Sequence, residues 1–215
     1  MKRNLSRGDI MILQLALDRL ERDQCFDLLE QTNRQIDWIE VGTGVIKEYG
    51  MAIVREIRQK YPHHRIVADM KTCDAGEHEA KQAFEAGADV VTVMAFAADA
   101  TITAMLDVAK QYEKEVMVDL LQVTDHRRVS ELKQLGVTLV SLHIGKDMQQ
   151  EAGLTVSAFD LVKNAGLTVS VAGGINASTL PAVVTQAPDI VIVGSAITGA
   201  DSPVEESRKL KGMLT

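Results

Sequence analysis

Ala86-Gly-Ala-Asp-Val-Val-Thr-Val-Met94 is the stretch that decides the fold. Gly87 stands where a helix ends, because a residue without a Cβ takes the left-handed cap at little cost. The apolar run that follows is short and β-branched. It does not alternate with polar residues, so it suits a strand covered on both faces, as parallel sheets are. The same punctuation returns at Leu135-Gly-Val-Thr, Ala165-Gly-Leu-Thr and Ala187-Pro-Asp, each closing a helical segment and launching an extended one. Working outward, strands are expected over 12–17, 36–41, 65–70, 90–94, 116–121, 139–143, 168–172 and 190–193. Helix-period segments follow them, near 21–32, 46–60, 76–86, 99–112, 125–135, 155–164, 177–186 and 203–212. Eight such units predict an α/β chain folded as a single-domain (β/α)8 TIM barrel. The count, and the lack of a GxGxxG after the first strand, favour it over an open doubly wound sheet. Residues 1–10 look unlike the rest and are read as an N-terminal extension to a barrel over 11–215, with Met11 as an alternative start.

The composition, 46% hydrophobic and 25% charged over 215 residues, is that of an ordinary globular domain and leaves no tract for a linker. A net charge of −7 argues against a nucleic-acid or anionic-membrane binder, while leaving room for a local pocket that takes one phosphate. No apolar run approaches the length of a membrane span. Cys25 and Cys73 show no spacing that suggests a metal site or a pair, so a reducing, cytoplasmic setting is expected.

A barrel carries its active site at the C-terminal ends of its strands. There the sequence sets Asp18 after strand one, Glu40 on two, Asp69 and Lys71 on three, Asp119 on five and His143 on six. In Val67-Ala-Asp-Met-Lys-Thr-Cys-Asp74, Asp69 and Lys71 are two apart and share a strand face, and Asp74 follows in the loop. Such a cluster can ligate a hard cation and hydrogen-bond an anionic oxygen, which is the equipment for stabilising an enolate. A salt bridge at a strand end is the alternative. Glu40 interrupts an otherwise apolar run, where a carboxylate is costly without a partner. Together, Glu40 and Asp69 supply hard oxygen ligands for Mg²⁺, with water and substrate taking the other positions; otherwise Lys71 pairs with Glu40 and no metal is needed. His143 suits proton transfer, with Asp119 one strand away to orient it or share its proton. Asp18 either binds substrate hydroxyls or caps the helix starting near Glu21. Strands seven and eight end instead in Ala172-Gly173-Gly174 and Val193-Gly194-Ser195. Gly173, Gly174 and Gly194 are expected to offer bare backbone N–H groups to a phosphate, and Ser195 a hydroxyl; the alternative is two tight turns.

Leu15-Ala-Leu-Asp18, Glu40-Val-Gly-Thr43, Ala68-Asp-Met-Lys-Thr-Cys-Asp74, His143, Ala172-Gly-Gly-Ile175 and Val193-Gly194 resemble, in order and spacing, the orotidine-monophosphate decarboxylase suprafamily. The resemblance runs from about Met11 to the end. Within that suprafamily the chain is similar to the 3-hexulose-6-phosphate synthases, with the 3-keto-L-gulonate-6-phosphate decarboxylases nearest to them. It implies a Mg²⁺-dependent homodimer whose sites lie at the subunit interface and borrow Asp74 from the partner. The implied reaction joins D-ribulose 5-phosphate to formaldehyde, giving D-arabino-hex-3-ulose 6-phosphate through a 1,2-enediolate, with Lys71, His143 and Asp119 at the chemistry. Asp119 stands where the decarboxylases have the longer Glu, Gly194-Ser195 where they carry an Arg for the phosphate, and Lys146 where they have another Arg. Lys146 is therefore a candidate substrate contact. The extra lysine of orotidine-monophosphate decarboxylase itself is not evident in the Glu40 segment, which sets the nucleotide reaction aside. Two other classes stay open: a ribulose-phosphate epimerase, for which a second acid/base set is not found, and a non-catalytic sugar-phosphate sensor, which does not require the metal-capable pair.

Overall fold

The structure, a computed structural model, describes residues 11–144 and 156–214; the extension at 1–10 and the Lys146 position lie outside them. Eight parallel strands close into a barrel in sequence order: β1 (Ile12–Leu17), β2 (Trp38–Val41), β3 (Arg65–Thr72), β4 (Val90–Met94), β5 (Glu115–Asp119), β6 (Leu139–His143), β7 (Thr168–Ala172) and β8 (Ile190–Val193). The expected (β/α)8 barrel is the fold. Its outer layer consists of α1 (Arg22–Thr32), α2 (Thr43–Tyr49), α3 (Met51–Lys60), α4 (Gly76–Glu85), α5 (Asp99–Tyr112), α6 (His126–Gln134), a 3-10 helix (Val156–Val162), α7 (Leu180–Val184), α8 (Ser195–Thr198) and α9 (Pro203–Gly212).

The two-sided burial read from Val-Val-Thr-Val has a simple origin. Alternate residues go to different cores: Val91 and Val93 pack outward under the helices, while Val90 joins Val67, Met117, Leu139, Ile190 and Ile192 inside the barrel. All five residues of β4 and all four of β8 are buried. Burying one such Val or Ile stabilises by about 1.5–3 kcal/mol.

Register is marked by a repeated device. The residue before β2, β4 and β8 is an aspartate, and each makes a two-point clamp on the odd strand beside it. Asp37 accepts from the Leu13 amide (2.7 Å) and donates its own amide to the Leu13 carbonyl (2.9 Å). Asp89 does the same with Ile66 (2.9 and 2.7 Å), and Asp189 with Val169 (2.8 and 2.9 Å). The aspartate in Gly-Ala-Asp thus has a physical task, since a one-residue slip would turn every inward side chain outward.

Three helices depart from expectation. The segment expected over 46–60 is two helices, α2 and α3, broken at Gly50, whose φ of 62° only glycine adopts freely. The segment after β6 is 3-10 rather than α, and the one after β7 is short. Among the described residues no helix is long and apolar enough to cross a membrane.

Candidate active site

The site continues the barrel interior upward by one step. Inward residues of the apolar layer are followed two positions later by polar ones on the same face: Val67 by Asp69, Val90 by Thr92, Met117 by Asp119, Leu139 by Ser141, and Trp38 by Glu40. They open into a cavity of about 370 Å³ at the C-terminal ends of the strands. That volume lies within the range for a small-molecule site. Asp18, Glu40, Asp69, Lys71, Asp119, His143, Gly173, Gly174, Gly194 and Ser195, all expected here from the sequence, line it. Asp74 does not: it sits in a separate surface depression with Glu77 and His78, its carboxylate accepting from the Ala75 amide at 2.8 Å.

Asp69 and Lys71 meet, but by a different route from simple strand alternation. The β3–β4 register breaks between Ala68 and Thr72, and Lys71 takes a left-handed φ of 48°. Bulges of this kind re-aim a side chain at barrel rims. Thr92 holds the irregularity, its hydroxyl accepting from the Lys71 amide (2.9 Å) and donating to Asp69 Oδ1 (2.8 Å). Thr43 Oγ1 lies 2.8 Å from Asp69 Oδ2. The Lys71 ammonium reaches Asp69 Oδ2 at 3.1 Å and Asp119 Oδ2 at 2.8 Å. Burial would lower its pKa, but the charges of Asp69 and Asp119 outweigh that and hold it above the usual lysine range. Lys71 is therefore a fixed cation and not a base.

Asp119 Oδ2 also meets His143 Nδ1 at 3.0 Å, while Oδ1 accepts from the Leu121 amide at 2.9 Å. Burial pushes the Asp119 carboxyl up, yet the His143 hydrogen bond and the Lys71 charge prevail and keep it below its ordinary value. An ionised carboxylate only accepts hydrogen bonds, so Nδ1 of the imidazole carries a proton, and in the neutral ring the lone pair lies on Nε2. Hydrogen-bond logic thus fixes the tautomer needed to accept a proton.

Glu40 is 9% exposed and accepts a short hydrogen bond from Gln14 Nε2. The alternative in which Lys71 is the ion-pair partner of Glu40 does not hold, because Lys71 pairs with Asp69 and Asp119. Burial first, and then the charge of Asp69, push the Glu40 carboxyl up to about 8. Gln14 is wholly buried, and its Oε1 has no hydrogen-bond partner. Glu40 and Asp69 both line the cavity, and two neighbouring carboxylates are hard-oxygen donors that fit a small divalent cation. Among the described residues no group of three or more His, Cys, Asp or Glu is arranged to hold a metal, so such a cation would take the balance of its ligands from water and substrate.

At the opposite wall, Gly173 and Gly174 have φ of 113° and 67°, and a Cβ on Gly173 would lie 2.6 Å from the Ile144 carbonyl oxygen. The tight-turn reading is thus correct for that pair, which nevertheless lines the cavity. Gly194 is different. Its φ is −109°, outside the left-handed region, and the nearest atom to a built Cβ is the Ala16 oxygen at 3.6 Å, so packing does not demand glycine there. Asp18 does not cap α1, whose N-cap is Glu21; its Oδ1 accepts from the Gly44 amide at 3.2 Å and ties the β1 loop to α2.

Residues 11–210 match the Orotidine 5'-phosphate decarboxylase / HUMPS family, which spans the whole barrel and every cavity strand. The chain belongs to that family. A 3-hexulose-6-phosphate synthase of Bacillus subtilis (strain 168) is 38% identical over 95% of this chain and 99% of its own length. A crystal structure of 3-hexulose-6-phosphate synthase from Salmonella typhimurium superposes with a TM-score of 0.89 at 37% identity, covering 95% of this chain and 98% of that one. A crystal structure of KGPDC from Streptococcus mutans gives 0.91 at 26% identity, covering 96% and 98%. With these likenesses to named synthases, this member of the Orotidine 5'-phosphate decarboxylase / HUMPS family is an enzyme of the lyase type. The family motif around Glu40 includes Thr43, which sequence reasoning left without a task, and Gln14 and Thr92 went unmarked. Gln14 carried the signal that exposed Glu40, a lone polar residue inside an apolar run; Thr92 carried none, being a β-branched residue that any strand accepts.

Proposed function

We propose that the chain is a 3-hexulose-6-phosphate synthase, condensing D-ribulose 5-phosphate with formaldehyde to D-arabino-hex-3-ulose 6-phosphate and running the reverse cleavage. One observation carries the reading: a fixed ammonium and an imidazole meet on a single carboxylate oxygen, Asp119 Oδ2, at 2.8 and 3.0 Å. That arrangement suits removal of a proton next to a carbonyl. Nε2 of His143 takes the C1 proton of the ketose, and the Lys71 ammonium stabilises the negative oxygen of the enediolate. The C1 carbon then bonds to the carbon of formaldehyde, and the new alkoxide recovers the proton from the imidazolium. Asp119 keeps the ring oriented throughout, Asp18 binds substrate hydroxyls, and the loops at Gly173, Gly174, Gly194 and Ser195 hold the phosphate so that C1 stays in register. Glu40 and Asp69 would hold Mg²⁺, which supplies Lewis-acid polarisation of the substrate carbonyl. The active unit is proposed as a homodimer to which Asp74 contributes across the interface.

A second reading, decarboxylation of 3-keto-L-gulonate 6-phosphate, draws on the likeness to the Streptococcus mutans protein. Asp119 and Gly194-Ser195 favour the synthase, as they stand where the decarboxylases carry Glu and Arg. The test offers ribulose 5-phosphate with formaldehyde, and the keto-gulonate phosphate separately, with Mg²⁺ and then with chelator. Turnover is expected in the first mixture and its loss on chelation. Lys71→Ala and Asp69→Ala should each lower kcat/KM by about 10³-fold or more with unchanged circular dichroism. If C1 hydrogen exchange of ribulose 5-phosphate in heavy water survives Asp69→Ala undiminished, the metal assignment is wrong.

A further inference from the structure

Among the described residues, four carboxylates line the cavity, on Asp18, Glu40, Asp69 and Asp119, against two side chains of Lys or Arg, Lys71 and Arg19. Lys71 is already engaged by two of the carboxylates. The glycine loops after β7 and β8 bring no cation of their own to the cavity wall. Among the described residues Arg19 is the cation left over. Its side chain is 58% exposed, and its Nε stands 3.6 Å from Asp18 Oδ2, beyond hydrogen-bond distance. An exposed pair at that separation is easily parted.

The backbone makes the same distinction. Seven described non-glycine residues have positive φ, and the two that line the cavity are its two cations, Lys71 at 48° and Arg19 at 54°. A long side chain in the left-handed region costs energy that a plain turn would avoid with glycine or asparagine, so the conformation at a site points to a task for the residue it carries. Strand order supplies the direction. β1 lies between β2 and β8, and the β8 loop abuts it, with the Gly194 Cβ position 3.6 Å from the Ala16 oxygen, three residues before Arg19.

We propose that Arg19 is a substrate-positioning residue that leaves Asp18 to grip the phosphate of the bound sugar phosphate from the β1 side, supplying the cation that the glycine cradle lacks. The planar guanidinium matches a phosphate with two parallel hydrogen bonds, and its departure frees Asp18 for substrate hydroxyls. The inference rests on the proposed reading of the site as a sugar-phosphate site.

Arg19→Gly tests it, because glycine accepts the left-handed backbone and the fold is not put at risk; Arg19→Lys keeps the charge and loses the fork. The probe is inorganic phosphate, titrated calorimetrically into the intact protein, with steady-state kinetics on ribulose 5-phosphate and formaldehyde alongside. Phosphate affinity is expected to fall about tenfold or more in Arg19→Gly and less in Arg19→Lys. KM for the ketose phosphate should rise by a similar factor while kcat changes far less. Equal phosphate affinity in the wild type and Arg19→Gly overturns the proposal, as does a wild type that binds no phosphate. A fall in kcat with KM and phosphate affinity unmoved overturns it too, and makes Arg19 a tether for Asp18. Should the wild type bind phosphate but fail to turn over, the synthase reading falls, while the phosphate comparison still decides the role of Arg19.

Discussion

Glu40 is walled in beside Asp69, and its carboxyl, pushed up to about 8, keeps its proton at neutral pH until a cation displaces it. A metal needs the carboxylate, so binding must expel that proton. Mg²⁺ affinity should therefore climb as the pH rises through about 7 to 8 and level off above, with close to one proton released per ion at about pH 7. Calorimetry in two buffers of different ionisation enthalpy reads the proton directly, and Glu40→Gln should abolish it. Affinity independent of pH over that window would remove Glu40 from the ligand set. The carboxylates were legible in the sequence because a charge in an apolar run needs a reason to be there. The residues that orient them were not. Thr43 and Thr92 do their work through one hydroxyl each, and a hydroxyl in a strand costs too little to announce itself.

At the scale of elements, the strands were readable from β-branched runs and the helix breaks were not. Apolar periodicity continues from α2 into α3, so only the backbone angle at Gly50 reveals the break. The aspartate clamps were visible as Gly-Ala-Asp and Pro-Asp punctuation without a stated purpose. Asp89 shows what the clamps are worth. Burial raises its pKa, but Lys114, the Ile66 amide and Arg58 prevail and hold it below the ordinary 3.8. A depressed folded-state pKa contributes stability that is present above the unfolded value and lost as the pH falls through the folded one. Asp89→Asn is expected to cost about 1–3 kcal/mol at neutral pH, since it leaves two cations facing an amide. The gap between wild type and variant in urea unfolding should close as the pH drops below the carboxylate range. A gap that persists in acid would assign the loss to packing instead.

Across the whole molecule, Asp74 and Phe96 both follow strand ends on the side of the cavity mouth, and Phe96, 63% exposed, is the large hydrophobic that the described residues leave in solvent. Both features suit a face covered by a second copy. If Asp74 serves the partner's cavity, Lys71→Ala and Asp74→Ala are each inactive alone. Mixed after reversible dissociation, they should recover about one quarter of the wild-type activity, because half the dimers are hybrids with one intact site. No recovery, with hybrids demonstrated by mass, would return Asp74 to its own chain. The barrel's lacing also governs where its chain can be divided. Each clamp binds an odd strand to the even strand after it, so a cut between β4 and α5 parts no laced pair, while a cut between β3 and β4 strips Ile66 of its aspartate. Two polypeptides meeting at the β4–α5 loop would each keep their own alignment marks, and that junction is where a barrel assembled from separate halves should be joined.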